Sequence, residues 1–168
     1  MNRKIIIIPT YNEAKNIGIL INKLRVFNLN ILIIDDNSPD NTAAIVKNLM
    51  DENSNLHLIH RKNKLGLGSA YREGFRYCID MGYESFIQMD ADFSHRIEDL
   101  GSLLADESNY DVIIGSRYVQ GGGTKGWSAN RMLLSKFANT YARFITSCKI
   151  KDLTSGFRIY SLKALKEI

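Results

Sequence analysis

The 168-residue chain contains only two cysteines, two prolines, three histidines and one tryptophan. Cys78 and Cys148 lie far apart and fit no metal-ligand spacing, so both read as reduced thiols of a cytoplasmic protein. His57, His60 and His95 are too few and too scattered for a zinc site. The basic start is followed by just four consecutive isoleucines, Ile5 to Ile8, too short for the core of a signal peptide, and no small-residue cleavage site comes after them, so this stretch is not expected to be one. No uncharged apolar run approaches the ~18 residues that a membrane-spanning helix requires. Internal repeats, low-complexity segments and a Gly-Lys-Ser/Thr phosphate-binding loop are also absent.

One shortage is local. The net charge is a modest +4, yet no Asp or Glu occurs from Val112 to Lys151, against seven basic residues: Arg117, Lys125, Arg131, Lys136, Arg143, Lys149 and Lys151. Such a stretch is either a solvated face or the docking surface of an anionic partner, namely phosphate, nucleic acid or a membrane surface.

What is present is one domain's worth of an ordinary globular composition, 45% hydrophobic and 24% charged. Apolar runs at 4–8, 31–35, 56–60, 85–89 and 111–115 read as strands. Helical patterns fall at 13–25, 40–50, 68–82 and near 97–105, with Asp40 placed to cap the second. Continuous apolar strands alternating with helices predict an α/β fold with a mostly parallel, Rossmann-like sheet covered on both faces. Further on, 120–127 reads as a mobile loop. Leu134, Phe137, Ala138, Tyr141 and Ile145 mark one face of a helix over 129–146, with Phe137 and Tyr141 expected in the core. "GFRIYS" at 156–161 reads as a strand, and "LKALKEI" begins a helix without a C-cap. The expectation is a single domain over 1–168 that lacks its C-terminal part.

In open α/β sheets, ligands bind beyond the carboxyl ends of the strands. Three polar clusters sit there: "PTYNE" (9–13), "DDNSPD" (35–40) and "DADFSH" (90–95). In the first, Thr10 or Asn12 as a cap and Glu13 as a helix-start charge form an equally good structural reading. In the second, turn chemistry accounts for Asn37, Ser38, Pro39 and Asp40 but leaves Asp35 and Asp36 without a structural task. In the third, residues i and i+2 of extended chain project to one side, roughly 6.6 Å apart, so Asp90 and Asp92 can converge while the small Ala91 turns away. Two bare carboxylates so close repel unless a cation or proton lies between them, and an oxygen-only pair suits Mg2+ or Mn2+. Helix capping and an aspartyl nucleophile are the other uses of such a pair. "KLGLGSAYREG" (64–74) is not a dinucleotide fingerprint, because Tyr71 stands at the third glycine position and the preceding strand is the third.

The segments "IPTYNEAKNI", "IDDNSPDNT", "KLGLGSAYREG", "MDADFSH", "GSRYVQGGG" and "DLTSGFRIY" occur in the order found in polyprenol-phosphate mannosyltransferases, dolichol-phosphate mannose synthases included. The chain resembles these family 2 glycosyltransferases, which have a GT-A fold, from about residue 4 to its end. The resemblance implies that Pro9, Tyr11, Glu13, Asp35 and Asp36 line the base and ribose pocket of a nucleotide-sugar donor, GDP-mannose. It implies that Asp90, Ala91 and Asp92 meet the donor diphosphate, and that Asp90 and Asp92 hold its Mg2+ or Mn2+. Ser94 stands where some relatives place a metal-binding Gln. Arg117, Arg131 and Ser135 would cradle the phosphate of a polyprenyl or dolichyl phosphate acceptor, and Ser155 to Phe157 would border the sugar with Arg158 nearby. Asp92, Asp90 and Arg117 would be catalytic, and the enzyme would work at the cytoplasmic membrane surface without a spanning helix.

Three other readings compete. A phosphatase with an aspartyl nucleophile carries its acid pair after the first strand, with Thr or Val two residues beyond the second acid, whereas Ser94 holds that place here. A nucleotide-sugar-binding fragment without turnover is the non-enzymatic alternative. A nucleic-acid role would need the aromatics interleaved with the basic residues, two of which the helical pattern assigns to the core.

Overall fold

The structure, a computed structural model, describes residues 3–123 and 128–167, and for Ala129 and Arg131 the backbone alone. Residues 124–127 of the expected loop at 120–127 therefore lie outside the described residues, as does the side chain of Arg131.

Strand β1 (Lys4–Thr10) lies inside the sheet because its isoleucines are buried on both faces. Ile6 and Ile8 pack into one cluster with Ile17 and Leu20 of α1 (Ile17–Leu24), Val46 of α2 (Thr42–Met50) and Leu100 of α4 (Glu98–Ala105). Ile5 and Ile7 pack into the opposite cluster with Ala70, Tyr71 and Cys78 of α3 (Leu67–Asp80). Alternate side chains point to opposite faces, so a strand covered twice must be apolar at every position. Each such burial contributes about 1.5–3 kcal/mol. Helix α3 crosses the sheet at Gly74, where a Cβ would stand 2.4 Å from Ile34 Cδ1 and 2.8 Å from Ile7 Cγ2. Any larger residue there requires Ile34, Ile7 or the helix to shift.

β2 (Asn30–Asp35) and β4 (Ser85–Gln88) flank β1 in parallel, and β3 (Leu56–His60) continues the parallel set beside β2. The expected parallel sheet is thus present over four strands. Beyond β4 the order runs β6 (Arg158–Ser161) and then β5 (Val112–Ile114), with β6 antiparallel to both neighbours, so the six-stranded sheet is mixed. Strand β6 arrives by a long excursion through α5 (Ala129–Thr146) and is followed by α6 (Leu162–Glu167). A strand delivered by such a connection is not bound to the direction of its neighbours, and local pattern does not reveal it.

Helix α5 overturns one expectation. Phe137 and Tyr141 are not core: Leu133, Leu134, Phe137, Tyr141, Phe144 and Ile145 are each at least 61% exposed. The face turned inward is polar. Asn139 is buried, donating from Nδ2 to Ser135 O (3.1 Å) and Thr154 Oγ1 (3.0 Å) and accepting from Leu153 N (2.8 Å). Helical spacing establishes that an apolar face exists, and here a satisfied amide docks the opposite face to the body.

Candidate functional site

The first two polar clusters are sewn together. Asp35 is wholly buried, with Oδ1 accepting from Thr10 Oγ1 (3.0 Å) and Ser38 Oγ (2.5 Å), and Oδ2 accepting from Ser38 N (3.0 Å). His60 Nδ1 lies 3.1 Å from Asp35 Oδ2. Asn12, in the left-handed region at φ 62°, donates its N–H to Ser38 Oγ (3.0 Å), and Glu13 N donates to Thr42 Oγ1 (3.0 Å). Asp40 accepts from Ala14 N (2.9 Å), Thr42 N (3.1 Å) and Thr42 Oγ1 (2.6 Å). The residue at the cap position of α2 is Asn41, so Asp40 acts one residue upstream and ties both helix starts together.

Asp36 is also buried. Its carboxylate pairs with Arg61 and accepts from the amides of Leu65 (3.2 Å) and Gly66 (2.9 Å), while Arg61 reaches on to Ser69 Oγ (2.8 Å). Both acids therefore have structural tasks, contrary to the sequence reading. Asp35 supports the floor beneath Tyr11 and Glu13, and Asp36 pins the 61–66 loop to the sheet edge. Unpaired buried carboxylates are costly, which is why each collects three or more donors. Pro9 and Glu13 are half-buried, and Tyr11 is exposed with Lys64 Nζ 3.6 Å above its ring.

The acid pair follows β4. Ala91 is buried in the core, so the residues on either side of it, half-buried Asp90 and exposed Asp92, are presented away from it. Asp92 Oδ1 accepts from Ser94 N (2.9 Å), a turn made possible by Phe93 at φ 58°. Partial burial opposes the charge of Asp92, but hydrogen bonds from Ser94 and the nearby His95 outweigh it and hold the carboxyl below its usual range. Asp90 Oδ1 accepts from the Tyr71 hydroxyl (3.0 Å), and its Oδ2 lies 3.6 Å from His95 Nε2. His95 Nδ1 accepts the N–H of Asp90 (3.1 Å), which leaves the ring proton on Nε2. Burial, reinforced by Arg117, lowers the pKa of His95 against the opposing pull of Asp90 and Asp92.

Ser155 to Phe157 close over this centre. The His95 ring stacks on Phe157 at 5.1 Å, and a Cβ on Gly156 would stand 3.0 Å from Asp90 Oδ2. Arg158 does not face the site. It donates to the carbonyls of Leu153 (2.6 Å) and Ser155 (2.7 Å) and fixes that turn.

Arg117 is gripped by Asp152 and Thr154, with Nε and Nη2 donating to the two Asp152 oxygens (2.7 Å each) and Nη2 to Thr154 Oγ1 (2.7 Å). Asp152 is the first acid after the basic run. Its hydrogen bonds raise the Arg117 pKa, and Asp152 itself lies low, burial being outweighed by Arg117. Ser135 Oγ accepts from the Tyr118 hydroxyl (2.7 Å). Sequence reasoning had assigned no part to Tyr71, His95, Arg61 or Asp152. The signals for Asp152 are its position at the end of the acid-free stretch and its place at the head of "DLTSGFRIY".

Two carboxylates suit a divalent cation, since oxygen donors on a strand-end turn match Mg2+ or Mn2+ when water and substrate phosphate complete the shell. Among the described residues no group of three or more His, Cys, Asp or Glu could hold a metal.

The six-stranded mixed sheet with its flanking helices is that of the GT-A fold. Solved structures share the fold. A mannosyltransferase from Pyrobaculum calidifontis, in complex with GDP-Man and Mn2+, superposes with a TM-score of 0.68 at 16% identity, covering 99% of this chain and 46% of that one. A mannosyl-3-phosphoglycerate synthase from Rubrobacter xylanophilus superposes at 0.66 and 16% identity, covering 95% and 53%. Residues 5–168 match Glycosyl transferase family 2, and the chain belongs to that family. It is 42% identical over 170 residues to the polyprenol monophosphomannose synthase of Mycolicibacterium smegmatis. It is 38% identical over 168 residues to the undecaprenyl-phosphate mannosyltransferase of Micrococcus luteus. Each alignment takes in 99% of this chain, which spans 64% and 69% of the respective relative.

Proposed function

We propose that the chain transfers mannose from GDP-mannose to a polyprenyl or dolichyl monophosphate with inversion at the anomeric carbon. The observation that carries this reading is the Asp90–Asp92 pair, presented at the sheet edge by a buried Ala91 between them. Support comes from the names of the two curated relatives and from the GDP-Man and Mn2+ of the Pyrobaculum structure.

In this reading Tyr11, Glu13 and Pro9 border the base and ribose, with Asp35 and Asp36 holding the surrounding loops. Asp90 and Asp92 hold Mg2+ or Mn2+ against the donor diphosphate. Bound there, the cation supplies Lewis-acid stabilisation of the charge that develops on the departing GDP. The acceptor has a second phosphate pKa near ~6 and is mostly a dianion at neutral pH, so it attacks without a strong general base. One of its oxygens forms the bond to the anomeric carbon as the bond to GDP breaks. Arg117, its plane set by Asp152, meets the acceptor phosphate beside Ser135, and a guanidinium already fixed loses little entropy on gripping phosphate. Arg131 is assigned to the same phosphate by resemblance alone.

The acceptor's lipid requires a membrane. No helix among the described residues is long and apolar enough to cross one. Helix α5 supports peripheral contact instead: its outward apolar strip is flanked by Lys136 and Arg143, which line a cleft with Lys149 and Lys151. An apolar face edged by cations fits an anionic lipid surface. The free thiols of Cys78 and Cys148 suit the cytoplasmic side.

Mannose transfer to polyprenyl phosphate, assayed with GDP-mannose, UDP-glucose and UDP-N-acetylglucosamine in Mn2+, tests the proposal. Product from GDP-mannose alone is expected. Metal-dependent GDP binding with no transfer would instead support a nucleotide-sugar-binding chain without turnover.

A further inference from the structure

Asp90 differs from Asp92 in how it is held. Asp92 accepts from Ser94 in its own turn, whereas Asp90 is met by α3 through Tyr71 and by the following turn through His95, with Gly156 before β6 leaving little room for a Cβ beside it. We propose that Tyr71 and His95 are positioning residues that fix the Asp90 carboxylate in one orientation for a divalent cation. The inference rests on the metal reading above.

Tyr71 is anchored before it reaches Asp90. Its ring is buried, stacked on Phe75 at 6.0 Å, and its hydroxyl also lies 3.1 Å from Met89 O. Arg158 Nη1 donates to Tyr160 Oη (3.2 Å), and Tyr160 donates to Gln88 Oε1 (3.4 Å), which ties β6 to the end of β4. Tyr71 directs its proton at the Met89–Asp90 acceptors.

His95 works from the other side. Its Nδ1 is committed to the Asp90 N–H, so Nε2–H is the edge turned to Asp90 Oδ2, and stacking on Phe157 prevents the ring from rotating away. Oδ1 thus accepts a hydrogen bond from Tyr71, Oδ2 faces the His95 Nε2–H edge 3.6 Å away, and Gly156 leaves no room for a side chain on the third side. A carboxylate held in this way enters a coordination shell without first losing rotamer freedom. Outer partners of this kind commonly set 10–100-fold of metal affinity.

The test is Mn2+ affinity of the 168-residue chain, read from the electron paramagnetic resonance of free Mn2+ at saturating GDP. GDP binding without metal and thermal unfolding are measured alongside. Tyr71→Phe keeps the ring and removes the proton; His95→Asn keeps an acceptor near the Nδ1 position and removes the Nε2 donor. Each is expected to weaken Mn2+ binding about tenfold, with metal-free GDP binding unchanged, and His95→Leu to weaken it further. Asp92→Ala, which should abolish Mn2+ binding, separates the two levels. If Asp92→Ala abolishes binding while Tyr71→Phe and His95→Asn match the parent, positioning is refuted and the metal site stands. If Asp92→Ala also binds Mn2+ normally, the metal reading fails and the inference falls with it. Parallel loss of metal-free GDP binding in Tyr71→Phe and His95→Asn would show a general collapse of the site and overturn the inference too.

Discussion

Arg117 and Asp152 meet fork to fork across 35 residues of chain, with Asp152 fully buried and its two oxygens accepting from Arg117 Nε and Nη2 at 2.7 Å. The Arg117 backbone N–H adds a third bond to the same carboxylate (3.0 Å). The pair joins the end of β5 to the turn that leads into β6, so it also sets where Ser155–Phe157 sit over Asp90.

The two halves of that pair are unequal. Arg117→Ala leaves a buried, unpaired carboxylate and is expected to cost about 3 kcal/mol. Asp152→Asn leaves a guanidinium that water can reach, and should cost nearer ~1 kcal/mol. Urea midpoints of the two variants check the order.

The same contact sets a pH dependence. The Asp152 carboxyl lies below its usual value when folded, so the unfolded chain binds its proton more readily. Its stabilisation is therefore complete above the unfolded value near ~4 and is lost as pH falls through the lower folded one. Unfolding midpoints between about pH 5 and pH 2 should drop more steeply in the parent than in Asp152→Asn.

Gly156→Ala places a methyl 3.0 Å from Asp90 Oδ2 and 3.3 Å from His95 Cε1, and the carboxylate must give way. Transfer activity is expected to fall by about tenfold or more, with a stability change within about 1 kcal/mol. Steady-state kinetics and a thermal melt together distinguish a displaced carboxylate from a damaged fold.

The outward strip of α5 should be dispensable for folding and needed for lipid contact. Phe137→Ser with Phe144→Ser, at positions 68% and 82% exposed, is expected to leave stability within about 0.5 kcal/mol and to reduce sedimentation with anionic vesicles. Unchanged vesicle binding with altered self-association would assign the strip to a second copy of the chain. Unchanged vesicle binding and unchanged association would leave the strip to the remainder of a longer chain.

Burial pushes the Cys78 thiol up to about 12, so it has almost no thiolate at neutral pH. Cys148 is only half-buried. A thiol alkylating reagent at pH 7.5 should modify one site in the native protein, Cys148, and both in denaturant, as counted by mass spectrometry.

Much of this architecture was legible in the sequence because its determinants are local. Four isoleucines in a row require a strand covered on both faces. The antiparallel β6 was not legible, since its register against β4, Phe86 facing Tyr160, depends on where a long excursion returns. Nor was the inversion of α5. Periodicity marks Phe137 and Tyr141 as sharing a face, but Asn139 and its partners 14 and 15 residues away decide which face turns inward. The same limit applies to Asp35 and Asp36, whose partners include His60 at the end of the next strand and Arg61 just after it.

The central claim is that Asp90 and Asp92 hold a divalent cation against a sugar-nucleotide diphosphate. Calorimetric titration of GDP into the parent chain and into Asp92→Ala, each with and without Mn2+, tests it most directly. The expected result is GDP binding that Mn2+ strengthens by at least tenfold in the parent and leaves unchanged in Asp92→Ala. Equal strengthening by Mn2+ in both proteins would contradict the claim.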